Sequence, residues 1–123
     1  MGRTTTGLIK SLEATVATPK RRLVKFGAAD GTGVPATDGA SYIRGVSADI
    51  DTAPGERISV QMSGNIADVD YGAVVTRGQP LTADAQGRAV PAAVGDYHVG
   101  FAEVSGVLGD VGSVDIAPGQ RAA

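Results

Sequence analysis

From Tyr42 onward the chain alternates short apolar runs with turn residues, the grammar of strands and tight turns. Tyr42 to Ala48 reads as one strand. Ala53-Pro54-Gly55 then turns the chain into Arg57 to Met62, where Ile58, Val60 and Met62 alternate with polar neighbours as in a half-buried strand. Ser63-Gly64-Asn65 turns it again into a short strand, Ile66 to Val69, and Tyr71 to Thr76 is the next apolar run. Leu81 to Ala83 and Arg88 to Val90 flank Asp84-Ala85-Gln86-Gly87 as a hairpin. A last pair, Tyr97 to Val104 and Ser113 to Ile116, is joined through Gly106 to Gly112, and Pro118-Gly119 is expected to end the fold. A faint internal echo runs through this series. A glycine-bearing strand leads through a turn to an alternating strand at Gly45 and Ile58–Val60, and again at Gly100 and Val114–Ile116.

Upstream of Tyr42 the pattern changes. Leu23, Val24 and Phe26 form a plausible first strand. Residues 27–41 hold Gly27, Gly31, Gly33, Pro35 and Gly39 with two Asp-Gly pairs, and are expected to form an exposed contact loop. Residues 1–19 have the composition of an arm. Leu8, Ile9, Leu12 and Val16 fit one face of a short helix, but the many threonines and the closing Pro19 favour an extended segment. The expected organisation is an N-terminal arm at 1–19, a β-rich body at 20–117 and a short tail at 118–123. The fold class is all-β, a small compact β-barrel or β-sandwich-like domain with tight Gly/Pro turns and an extended N-terminal arm.

Composition sharpens this picture. A chain of 123 residues suits one domain, and its 18 glycines and 6 prolines argue for many short elements over a helical bundle. With 2 phenylalanines, 3 tyrosines and no tryptophan, the core must be built from Val, Ile, Leu and Ala. A protomer with such a core is expected to draw stability from neighbouring subunits. No apolar run reaches the ~18 residues of a membrane span, and no signal peptide is evident. Without cysteine there is no disulfide, thiolate metal site or thiol catalysis.

The net charge of -2 hides an asymmetry. Residues 1–27 carry Arg3, Lys10, Lys20, Arg21, Arg22 and Lys25 against Glu13 alone, whereas the remainder is rich in carboxylates. A basic arm on an acidic body suits an acidic protein partner. Nucleic acid is disfavoured, because the cations are few, lack interleaved aromatics and sit on a body that repels phosphate.

Catalytic chemistry finds little to use. His98 is the one histidine, and no second His or Cys accompanies it to build a zinc site. Asp49 with Asp51, and Asp68 with Asp70, share strand parity and could hold a hard cation, but neither pair lies in an EF-hand loop. Gly27 to Gly33 lacks the dinucleotide spacing and has no Walker lysine. No nucleophile elbow is present. The expectation is a non-enzymatic protein without cofactor or metal.

The ordered series Ile43-Arg44-Gly45-Val46-Ser47, Ala53 to Val60, Thr76 to Arg88, His98 to Glu103 and Ser113 to Ile116 resembles the family of phage capsid decoration, or cement, proteins. The resemblance covers about residues 40–117 and implies a structural protein on the outer surface of the phage head, made in the host cytoplasm. It implies the phage major capsid protein as partner, a homo-oligomer (a trimer) as the working form, and no catalytic residues. On this reading Leu8, Ile9, Leu12, Lys20, Arg21, Arg22 and Lys25 are the candidate capsid or subunit contacts. The alternatives are another virion component (minor head, tail-tube or baseplate) or a soluble carbohydrate- or ion-binding module, which the few candidate exposed aromatics disfavour.

Overall fold

The computed structural model describes residues 9–122, and among these every regular element is a strand. The ten are β1 (Ile9–Ala14), β2 (Leu23–Phe26), β3 (Thr32–Pro35), β4 (Ile43–Ser47), β5 (Arg57–Gln61), β6 (Ile66–Asp70), β7 (Pro80–Ala83), β8 (Ala89–Pro91), β9 (Tyr97–Ala102) and β10 (Val111–Gln120). The first five close into a barrel in the order β1-β3-β2-β4-β5. The other five form a sheet in the order β6-β10-β9-β7-β8. A parallel bridge from Tyr71, just past β6, to Ala89 on β8 ties the two edges of that sheet together. The all-β expectation holds, and the molecule combines a barrel with a packed second sheet.

Two cores follow from strand alternation. Leu12, Ala14, Val24, Ile58, Val60 and Met62 fill the barrel. Leu23 of β2 and Ile43 and Val46 of β4 pack outward against Val69, Leu81, Val99, Val114 and Ile116 of the second sheet. Leu23 and Val24 are neighbours in sequence and lie in different cores, so β2 is buried on both faces. Tyr71 is the one aromatic in either core. Its hydroxyl donates to the Val104 carbonyl at 2.6 Å, and burial raises its pKa. A side chain on Gly112 would meet the Tyr71 ring at 2.1 Å, which explains the glycine there.

Four turns share one construction. In Ala53–Glu56, Thr76–Gln79, Ala93–Asp96 and Val107–Asp110 the fourth residue's amide donates to the first residue's carbonyl at 3.0–3.1 Å. The third residue is glycine with φ between 87° and 91°. These are type II turns, in which only glycine takes the third position without strain. The side chain of the fourth residue (Glu56, Gln79, Asp96 or Asp110) then accepts from the first residue's amide at 2.8–3.0 Å, locking each turn from both sides. The internal echo has a structural counterpart here. Gly45 and Gly100 each pass within about a bond length of clash with the facing strand, since a Cβ would lie 2.2 Å from the Gln61 carbonyl and 2.0 Å from that of Asp115.

Three expectations need correction. Residues 27–41 are not all loop, because Thr32–Pro35 is β3 and pairs with β2 from Val24↔Pro35 to Phe26↔Gly33. Gly33, which reads as a breaker, makes room for the side chains of Leu12 and Val24. The run Tyr71 to Thr76 is no strand. Its strand pairing is limited to the isolated bridges Tyr71↔Ala89 and Val75↔Gly106, and its Val74 is 69% exposed. Pro118-Gly119 does not end the sheet: a register shift between Ile116 and Gly119 absorbs the proline, and pairing resumes at Gly119↔His98 and Gln120↔Tyr97. The segment 1–19 also looks different in three dimensions. Its described part contains β1, an extended barrel strand paired with β5 from Ile9↔Gln61 to Glu13↔Arg57 and with β3 at Glu13↔Thr32 and Ala14↔Gly33.

Candidate interaction surfaces

The residues singled out from the sequence scatter into three environments. Leu8 lies outside the described residues. Ile9 is exposed at the start of β1, and Leu12, three residues further and on the opposite face, is 2% exposed inside the barrel. Lys20 and Lys25 are half-buried, with Lys25 beside Val16, Pro19, Val34 and Pro35 along a mainly apolar groove. Arg21 and Arg22 turn inward.

Arg21 is the one described non-glycine residue in the left-handed region, at φ 56°. Such a conformation costs on the order of 1 kcal/mol and persists where its surroundings hold it. Here the Arg21 Nε donates to Asp70 Oδ1 at 2.9 Å, and its Nη1 donates to Asp49 Oδ1 at 2.5 Å. The Arg21 carbonyl accepts from the Asp70 amide at 3.2 Å. Arg22 reaches the second oxygen of the same carboxylate at 3.3 Å and donates to the Gln86 carbonyl at 3.0 Å. The hydrogen bond to Asp70 leads in raising the Arg21 pKa, with desolvation opposing it. The basic run thus clasps the lead-in of β2 to the end of β6 and joins barrel to second sheet.

The acidic pairs offer no ion cage. Asp70 is held by the two arginines, Asp49 by one of them, and Asp51 accepts the Lys20 amide at 3.0 Å. Among the described residues no group of three or more His, Asp or Glu side chains is placed to hold a metal ion. His98 is buried, with Nδ1 lacking a hydrogen-bond partner, and its ring lies 5.1 Å from that of Phe101. Burial lowers its pKa, and a hydrogen bond with the Ala117 backbone opposes that shift in part.

The structure brings together a surface that sequence reading passed over. Phe26 at the end of β2 stacks on Tyr42 with centroids 6.1 Å apart, and Tyr42 meets Tyr97 edge-on at 6.3 Å. The Arg44 guanidinium sits 5.5 Å above the Phe26 ring, within cation–π range. Phe26 is 56% exposed, and Tyr42 and Phe101 are exposed as well. The scarce aromatics are therefore mostly surface residues, in line with the expectation of cores built from Val, Ile, Leu and Ala. The available signal was composition itself: Val, Leu and Ile suffice for both cores, which frees the rings for contact. A second apolar display lies at the loop end of the sheet, where Val74, Val104, Val107 and Leu108 are exposed. Tyr, Phe and Arg are the residue types enriched at protein–protein interfaces.

Comparison with known proteins fits a surface built for contact. Residues 4–116 match the phage cement protein family. Among solved structures, the N base of the head fiber protein gp8.5 of bacteriophage phi29 is similar, with a TM-score of 0.70, 21% sequence identity, and coverage of 89% of this chain and 93% of that one. At that identity the likeness establishes a shared fold. No curated protein sequence matches the chain significantly. With a family match over nearly its whole length, this chain belongs to the phage cement protein family, as a structural protein of the virion located at the capsid surface.

Proposed function

We propose that the chain binds the outer surface of an assembled phage head, contacts the major capsid protein, and holds adjacent capsomers together as a small homo-oligomer, in the simplest form a trimer. The family match over residues 4–116 carries this reading. The contact edge starts at Ile9 and the residues before it, Leu8 included, and runs through Lys20 to Lys25. Leu12, Arg21 and Arg22 hold that edge to the body through the barrel core and the Asp70 clasp. Exposed aliphatic side chains at the loop end support the reading too, since apolar surface gathered without a partner in its own chain suits a protein whose partner is a shell. Binding through several modest contacts gains strength once one oligomer spans several capsomers. Binding to the lattice and not to free subunits stabilises the lattice by mass action.

Cosedimentation of the purified protein with undecorated expanded capsids tests this, with free capsid subunits as the control. The expected result is saturable binding to shells and none to free subunits. Absence of binding to shells would overturn the proposal and leave the minor-head, tail-tube and baseplate roles.

A further inference from the structure

The outer face of the second sheet mirrors the aromatic surface of the barrel in chemistry and opposes it in charge. On β6, β10 and β9 the register places Ile66 opposite Asp115, and Asp115 opposite Phe101, in one row across three strands. All three are exposed, Ile66 to 63%. In the neighbouring row Asp68 faces Ser113, whose carbonyl accepts from the Glu103 amide at 2.9 Å. Strand alternation sends Ala67, Val69, Val114 and Ile116 inward, so this face consists of Ile66 and Phe101 framed by Asp68, Glu103 and Asp115. Among the described residues none of those three carboxylates is in a salt bridge.

The barrel carries the complement. Phe26 and Tyr42 stack there, Tyr97 on β9 of the second sheet meets Tyr42 edge-on, and Arg44 lies over Phe26. Lys10 and Arg44 line the groove that runs beside Phe26 to the Gly27–Gly31 turn, where Asp30 is the one acidic lining residue. The Arg44 Nε is buried and has no hydrogen-bond partner, and a buried donor in that state gains from any acceptor supplied from outside.

We infer that these two faces bind each other between copies of this chain, the ring-and-arginine face of one copy seating on the Ile66–Asp115–Phe101 face of the next. The inference rests on the homo-oligomer reading above and specifies its geometry. Because two different patches meet, the contact is heterologous, and it closes into a ring only if the rotation between neighbours closes. Apolar contact supplies the attraction, while Arg44 and Lys10 opposite Asp115 and Asp68 fix which faces meet.

Sedimentation equilibrium of the protein without capsids provides the test. Arg44→Glu and Asp115→Lys are each expected to weaken self-association by about tenfold or more, as loss of a close interfacial charge pair does. The double variant, with the charges exchanged, is expected to restore it. Lys10→Glu and Phe101→Ser, at exposed positions, form a second set for the case in which Arg44→Glu fails to fold, and circular dichroism identifies that case. A monomeric wild-type protein, single variants that associate as the wild type does, or a double variant that stays dissociated would each overturn the inference. Capsid cosedimentation of the same proteins separates this outcome from failure of the cement role, since a wild-type chain that binds shells while remaining monomeric refutes only the self-contact.

Discussion

At the scale of single residues, the chain spends its polar side chains on geometry. The Arg21 backbone is held in a conformation its type disfavours because Asp70 receives both its guanidinium and, through the amide, its carbonyl. His98 shows the opposite economy, a ring buried without a partner at Nδ1. Its folded pKa lies below the ordinary 6.5, so as pH falls through that value the unfolded chain takes up a proton before the folded one does. Stability is therefore complete above pH about 6.5 and declines as pH falls toward the folded pKa. Thermal melts from pH 7.5 to 5 should show a falling midpoint in the wild type. The fall should be smaller in His98→Gln, and an equal fall in both proteins would assign it to other groups. Sequence alone marked His98 as solitary. It did not reveal the burial, because the segment's small neighbours Gly100 and Ala102 look like those of an open strand.

At the scale of elements, the strands from Tyr42 onward were legible because alternation and turn pairs mark them, and β4 to β9 fall close to their expected places. Of the four locked turns, Ala53-Pro54-Gly55 was legible as a turn and Val107–Asp110 fell within the expected Gly106–Gly112 connection, whereas Ala93–Asp96 and the clamp by the fourth side chain were not. Reading failed where a residue serves a neighbour's packing. Gly33 and Pro35 masked β3, and Pro118 masked the end of β10: Gly33 leaves room for Leu12 and Val24, Pro35 is the last residue of its strand, and Pro118 falls in a bulge. The status of β1 matters most for experiment. Leu12 and Ala14 are part of the barrel core, so removal of residues 1–19 takes out a strand along with any contact segment. Removal of residues 1–8 alone should leave the fold intact, whereas Leu12→Ala should cost about 2–5 kcal/mol, the range for emptying a core leucine site. Denaturant titration of the two variants checks both expectations. A shortened chain that melts like Leu12→Ala would place residues 1–8 within the folding unit.

At the scale of the whole molecule, β2 serves two cores at once, Leu23 in one and Val24 in the other. Barrel and second sheet also share the Asp70 clasp, so neither keeps its packing when the other opens. One cooperative thermal transition is expected, with tyrosine fluorescence and far-ultraviolet dichroism coincident. Two resolved transitions would show the halves to be independent. The functional class was legible from an ordered series of weak segments. The surface proposed for self-contact was not, because Phe26, Tyr42 and Tyr97 lie far apart in sequence and meet only when β2, β4 and β9 are in place.

The position of β1 has a consequence in time. It sits between β3 and β5, pairing with one in parallel and the other in antiparallel fashion, and both partners follow it along the chain. During synthesis β1 has neither partner until β3 emerges, and it lacks its longer pairing until β5 emerges. Closure of the barrel is a late step that waits on long-range pairing, which is slow to form. Newly made copies pass through an interval with Leu12 and Ala14 uncovered and the edges of β3 and β5 open, the kind of species that is prone to aggregate.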